Sequence, residues 1–195
     1  MANQDAAFGF RPIGKVGQNR DNQGLSEYNI AANASAIFQN DTVQFLNTGT
    51  IGVADTSTAV LLGSLNGVFY TDATDQKPRW ANHLAASNTA TDIVGFVSDD
   101  PYERFEVQSS TTLAIADIGL NADISYTAGT SPNFVSKVEV DTTSANMTTA
   151  TAQFRVLGVT KDINNNELSN VTTYAANVNV VGIINEHFLK STTGI

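Results

Sequence analysis

Residues 92–108 read DIVGFV-SDDP-YE-RFEVQ, and this stretch decides the fold class. Two short runs rich in β-branched and aromatic residues, 92–97 and 104–108, flank Ser98-Asp99-Asp100-Pro101. Proline presets φ there, and Ser and Asp side chains bond nearby backbone, so the four residues read as a turn between strands. The same grammar recurs outward. Residues 42–46 (TVQFL) alternate after Gln39-Asn40-Asp41, residues 60–65 form a short apolar run, and residues 67–70 (GVFY) follow Asn66. Asn-Gly is a strong hairpin signal. Further strands are expected at 124–127, 134–140, 151–160 and 175–184. Short strands at close intervals with turn chemistry between them favour an antiparallel architecture over alternating β-α units. The expected fold is therefore all-β: an antiparallel β-barrel or β-sandwich, jelly-roll or tulip-like, with at most one short helix. That helix would span residues 113–118, with Ser110-Thr111-Thr112 as its cap and Gly119 as its stop. Residues 142–150 and 72–90 read as long loops; the second holds Trp80, Pro78 and His83, and is a candidate for contacting partners.

The first twenty residues differ from the rest. They hold Arg11, Lys15 and Arg20 against one acidic residue, Asp5, for a net charge of +2. Seven basic and eighteen acidic side chains remain, so the body carries −11. This opening also has three glycines, one proline and no helical or strand period. It reads as an extended arm (residues 1–27) attached to a β body (residues 28–195), and an arm of this kind points to assembly rather than catalysis.

Of the 195 residues, 42% are hydrophobic, enough for a substantial core, and only 15% are charged, below the usual quarter. A net charge of −9 argues against nucleic-acid binding, which needs clustered Lys and Arg. The absence of cysteine excludes disulfides and thiolate metal sites. No apolar run is long enough for a membrane-spanning helix. No secretory signal pattern opens the chain, so synthesis and residence in a cytoplasm are expected.

Catalytic chemistry finds little support. Only His83 and His187 are available as imidazole bases, and both read first as packing or surface residues. Asp99 and Asp100 read as turn residues, and Glu103 and Glu106 as solvated groups on a strand. Asp162, Asn164 and Asn166 place oxygen ligands at alternating positions, like the opening of a calcium loop. The match fails at the sixth position, Glu167, and the twelfth, Thr173, so an Asn-rich turn is the preferred reading. No cofactor is expected.

Five segments carry a resemblance. The opening Asp5-Ala6-Ala7-Phe8-Gly9-Phe10-Arg11-Pro12 resembles the start of a family of small virion proteins of tailed bacteriophages. So do residues 105–108 (FEVQ), 118–122 (IGLNA), 150–158 (ATAQFRVLG) and 184–189 (INEHFL), in order along nearly the whole chain. The resemblance is to capsid decoration, or cement, proteins. It implies a non-enzymatic role on the outer surface of a phage head, with the major capsid protein as partner and a homotrimer as the assembly, made in a host cytoplasm. From the charge and the missing apolar run, no nucleic-acid or membrane partner is expected. In this reading Phe8, Phe10, Pro12 and Ile13 are apolar anchors on a capsid subunit, and Arg11, Lys15 and Arg20 pair with acidic groups there. An extended arm of that length reaches roughly 65 Å. Each large apolar side chain it buries would contribute about 1.5–3 kcal/mol before ordering costs. Deleting residues 1–20 is then expected to abolish capsid binding and leave the body folded. The phenylalanines also admit another reading, as a first strand or a plug over the chain's own domain. Competing functions are another virion component, such as a tail, head-completion or fibre-associated protein, and a carbohydrate-binding β-sandwich. The latter has thin support from Trp80, Tyr70 and Tyr102.

Overall fold

Asn179–Ile184 (NVVGII) shows why its neighbourhood forms a sheet. In the computed structural model Val180, Gly182 and Ile184 are buried, and the residues between them are half-exposed. This is the period-two signature of a strand with one face on a core. The structure describes residues 3–17, 24–161, 168–192 and 194.

In chain order the strands begin with β1 (Arg11–Lys15), β2 (Ser26–Asn29), β3 (Thr42–Phe45), β4 (Ile51–Val53), β5 (Gly63–Thr71) and β6 (Pro78–Ala81). There follow β7 (Val94–Ser98), β8 (Glu103–Gln108), β9 (Leu113–Ala114), β10 (Asn121–Ala122) and β11 (Ile124–Ser125). The last are β12 (Glu139–Val140), β13 (Phe154–Val159), β14 (Leu168–Asn170), β15 (Thr173–Tyr174) and β16 (Asn179–Ile184). The only helical elements among the described residues are two 3-10 turns, Ile115–Asp117 and Phe188–Lys190. The protein is all-β, and every pair among the described strands is antiparallel.

Two larger sheets organise the molecule. One has the order β1-β8-β16-β13-β10, and the other β2-β7-β5-β3-β4, with β6 also paired to β5. Each builds its own core. Phe10, Phe105, Phe154, Val107, Val180 and Ile184 anchor the first. Ile37, Ile51, Leu62, Leu65, Leu84 and Ile93 anchor the second. The seam between them runs through consecutive residues, because Leu61 belongs to the first core and Leu62 to the second. The backbone bonds divide there too: Leu61 N–H donates to Glu186 O at 3.0 Å, and Leu62 N–H to Val43 O at 2.7 Å. The turn read from Ser98 to Pro101 crosses this seam and carries the chain from β7 in one sheet to β8 in the other. Ser26 Oγ and Tyr28 Oη donate to the Asp99 carboxylate at 2.9 and 2.5 Å, tying β2 to the crossover. Gly63 is required at this crossing, since a Cβ there would lie 2.1 Å from Ser98 O.

Several local expectations are corrected. Residues 113–118 do not form a helix: Leu113–Ala114 is strand β9, paired with β15, and only Ile115–Asp117 turns. A two-turn helix has too few bonds to repay nucleation, while a ladder with Thr173 and Tyr174 buries Leu113 completely. Asn66-Gly67 makes no hairpin. β5 runs through it with a bulge between Leu65 and Gly67, and the extra residue, exposed Asn66, lets both Leu65 and Val68 reach the core. Residues 72–90 are not all loop, since β6 lies within them and places Trp80 opposite Phe69. Of residues 134–140 only Glu139–Val140 is a strand, because Phe134 takes φ +52° in a turn.

Candidate assembly surface

The N-terminal segment is folded onto the body, starting from one glycine. Gly9 has φ +72°, and a Cβ there would lie 2.4 Å from both Asn40 O and Ser136 Cβ. Only glycine fits such a turn at such an approach. The turn sends Phe10 inward. Its N–H donates to Asn40 O at 2.9 Å, and Ser64 Oγ donates to its carbonyl at 2.6 Å. Its ring is fully buried, edge-on to Phe154 at 5.1 Å between centroids and tilted against Phe105 at 5.7 Å. The N–H of Ala6 donates to Gln108 Oε1 at 2.9 Å, and Gln108 Nε2 donates back to Gln4 O at 2.9 Å. Asn3 Nδ2 reaches Ala176 O at 3.1 Å.

Beyond Phe10 the chain becomes β1 at the edge of its sheet, with Arg11 opposite Glu106 and Lys15 opposite Glu103. An edge tolerates Pro12, which has no N–H to donate. The register slips between Pro12 and Gly14, so Ile13 falls outside the ladder.

Electrostatics hold this edge. Arg11 is ion-paired to Glu106 and lies 4.8 Å over the Phe8 ring. Glu106 is buried and also accepts from Thr160 Oγ1 at 2.8 Å. Glu103 is buried too and accepts from Gly14 N–H at 3.1 Å; burial pushes its carboxyl above the ordinary value. Lys15 Nζ bonds Asp100 Oδ2 at 2.6 Å, and that hydrogen bond raises its pKa. Val16 N–H donates to Tyr102 O at 2.9 Å.

The result is a pinned edge with an apolar outer surface. Ile13 is 41% exposed, Val16 48% and Tyr102 60%, with Pro12 and Arg11 also exposed. Of the residues read from the sequence as capsid anchors, Arg11, Pro12 and Ile13 therefore face solvent. Phe10 does not: it lies just before β1 and is buried in the first core, as the reading of a plug over the chain's own domain has it. Phe8 is half-buried beneath Arg11, and Lys15 is engaged by Asp100. The division at residue 27 also fails as a boundary, because β1 belongs to one large sheet and β2 spans it in the other. Arg20 lies outside the described residues, as do Asp162, Asn164 and Asn166.

Glu103 and Glu106 are the residues misread from sequence. Expected as solvated, they lie under β1 and hold it. For Glu106 the available signal was the alternation in β8, where Phe105 and Val107 point to the core while Glu106 and Gln108 are presented to whatever covers the other side; Glu103, in phase with Phe105, carried no such signal.

Three further titratable groups, His187, His83 and Asp41, are packed into the fold. His187 is buried, and its Nδ1 accepts from Leu189 N–H at 3.1 Å, capping the last 3-10 turn. Burial, reinforced by Lys190, lowers its pKa to about 4. His83 stacks on Phe134 at 3.9 Å and on Phe38 at 6.2 Å, and burial lowers its pKa. Asp41 is fully buried, accepts from Phe38 N–H at 2.8 Å, and is pushed up to about 6 by burial. A cleft of about 270 Å³ beside Phe45 and Phe188 is lined by neutral side chains, among them Gln44, Asn47 and Thr58. Among the described residues no group of three or more acidic, His or Cys side chains is placed to hold a metal ion.

Neither a family model, a curated protein nor a solved structure matches this chain.

Proposed function

We propose that this chain is a non-enzymatic structural component of a tailed-phage virion, a decoration protein that binds the outer capsid surface and bridges neighbouring capsid subunits. The observation that carries the reading is the β1 edge: exposed Pro12, Ile13 and Val16 on a segment locked in place by the buried Phe10, beside the exposed Tyr102, whose carbonyl accepts from Val16 N–H. An exposed sheet edge with apolar side chains is a template for pairing with another chain. Its rigidity lowers the ordering cost that a loose arm would meet on binding. The resemblance of five segments to phage decoration proteins supports the same reading, and the homotrimer is taken from that resemblance alone. Arg11 and Lys15 already have internal partners, Glu106 and Asp100, so apolar contact carries more of the docking than cationic pairing.

Deleting residues 1–20 is a poor test, because it also removes Phe10 from the core. The sharper test is co-sedimentation of the purified protein with expanded capsid shells that lack it. The double variant Ile13→Asp, Val16→Asp keeps the fold and loses about tenfold or more in affinity. Binding at full affinity by that folded variant rules out the β1 edge as the docking surface.

A further inference from the structure

The second sheet presents a face that the β1 edge does not use. Cross-strand register sets its membership. Phe69 lies opposite Trp80 on β6 and Val94 on β7, and Phe96 lies opposite Gly67 on β5 and Glu27 on β2. Directly opposed residues point to the same side of a sheet. Phe69, Trp80, Val94 and Phe96 therefore share one side, opposite the side that buries Val68 and Val97. Trp80 lies over Gly67, where a Cβ would meet its ring at 3.0 Å, and sits 4.7 Å from the Phe96 ring. Trp80 nevertheless remains 56% exposed and Phe69 40% exposed. Contiguous exposed aromatics of this kind mark interaction sites.

Charge indicates what covers the face. Of the acidic side chains between residues 24 and 98, Asp41 is buried and Asp55 lies in the loop held by Gln153, which leaves Glu27, Asp72, Asp75 and Asp92 at the surface; the cations of that stretch are Lys77 and Arg79. Arg79 is held by Asp72 and Asp75, each at 2.9 Å. Glu27 is exposed and directly opposite Phe96, on the aromatic side itself. A second copy of the chain would bring like charge against this rim, whereas a basic rim complements it.

We propose that the outward face of β2, β7, β5 and β6 docks a partner protein through an apolar strip bordered by lysine or arginine. The inference goes beyond the edge-strand reading and stands without it, because the face lies on the other sheet. In a bridging protein it is the second foothold.

Trp80 is the only tryptophan in the chain, so its emission reports the face directly. The full-length protein is titrated with a designed peptide alternating leucine and lysine, and with its leucine–glutamate counterpart. The lysine peptide is expected to shift Trp80 emission to the blue and saturate; the glutamate peptide gives no shift. Phe69→Ser and Glu27→Lys each weaken the lysine peptide by about tenfold. Asp55→Lys, in the loop whose Thr56 carbonyl is held by Gln153, leaves it unchanged. All three substitutions are at exposed positions, and thermal melts check their folding. Equal response to both peptides, or equal weakening by Asp55→Lys, overturns the proposal. So does a dimer in sedimentation velocity that Phe69→Ser abolishes, which assigns the face to a second copy. A saturable shift with chitotetraose in place of the peptide also overturns it, and assigns the face to glycans.

Discussion

Phe10→Ala separates a structural N-terminal segment from a loose arm. The ring is fully buried and packs edge-on to Phe154 and tilted against Phe105, while the backbone bonds to Asn40 and Ser64 survive the substitution. The loss is therefore the transfer energy of the ring plus the cavity it leaves, about 3–5 kcal/mol. That is a large fraction of the roughly 5–15 kcal/mol that holds a domain folded. Urea unfolding followed by far-ultraviolet circular dichroism reads it. With a slope of about 2 kcal/mol/M, the midpoint falls by about 1.5–2.5 M. Ile13→Ala, three residues on but exposed, stays within about 0.5 kcal/mol of the parent. A Phe10→Ala midpoint within about 0.5 M of the parent would refute the reasoning, since it would mean the ring contributes little to the core and residues 3–15 behave as an appendage.

Three further expectations follow from the same geometry. Gly9→Ala combines a strained φ of +72° with a Cβ 2.4 Å from Asn40 O, and costs more than about 2 kcal/mol; hydrogen exchange at the Ala6 amide, now bonded to Gln108, accelerates in that variant, and unchanged protection contradicts the account. Asp41 has a native pKa of about 6 against 3.8, so the stability linked to its proton is full below pH 3.8 and lost as pH rises through about 6. Asp41→Asn removes that loss and is more stable than the parent at pH 7 by up to about 3 kcal/mol; a less stable variant at that pH counts against the burial argument. His187, at about 4 against 6.5, has the opposite sign: its contribution is full above pH 6.5 and lost as pH falls through about 4. His187→Gln therefore melts higher than the parent at pH 4.5 relative to pH 7, and parallel melting profiles for the two proteins would exclude the buried neutral imidazole.

The strand content was legible because it is written locally. Turn residues at Ser98–Pro101 and alternation at residues 104–108 need no knowledge of the rest of the chain. What was illegible depends on partners distant in sequence. Residues 10–15 contain proline, two cations and a glycine, which resembles linker composition, and become a strand only because Glu103, Glu106 and the cleft between Phe105 and Phe154 accept them. The same holds for the aromatic face. Trp80 stood out as the lone tryptophan, but its company, Phe69 and Phe96, is set by the register of β5 against β6 and β7. Asn66-Gly67 carried a correct local signal for a turn and lost to the demand that Leu65 and Val68 both be buried, which the bulge meets.

The central functional claim, decoration of a capsid shell, is tested most directly by copy number. Quantitative mass spectrometry of purified virions compares this protein with the major capsid protein. The account predicts a ratio near one to one, or one trimer per local three-fold position. A handful of copies per particle, or absence from the virion, contradicts it.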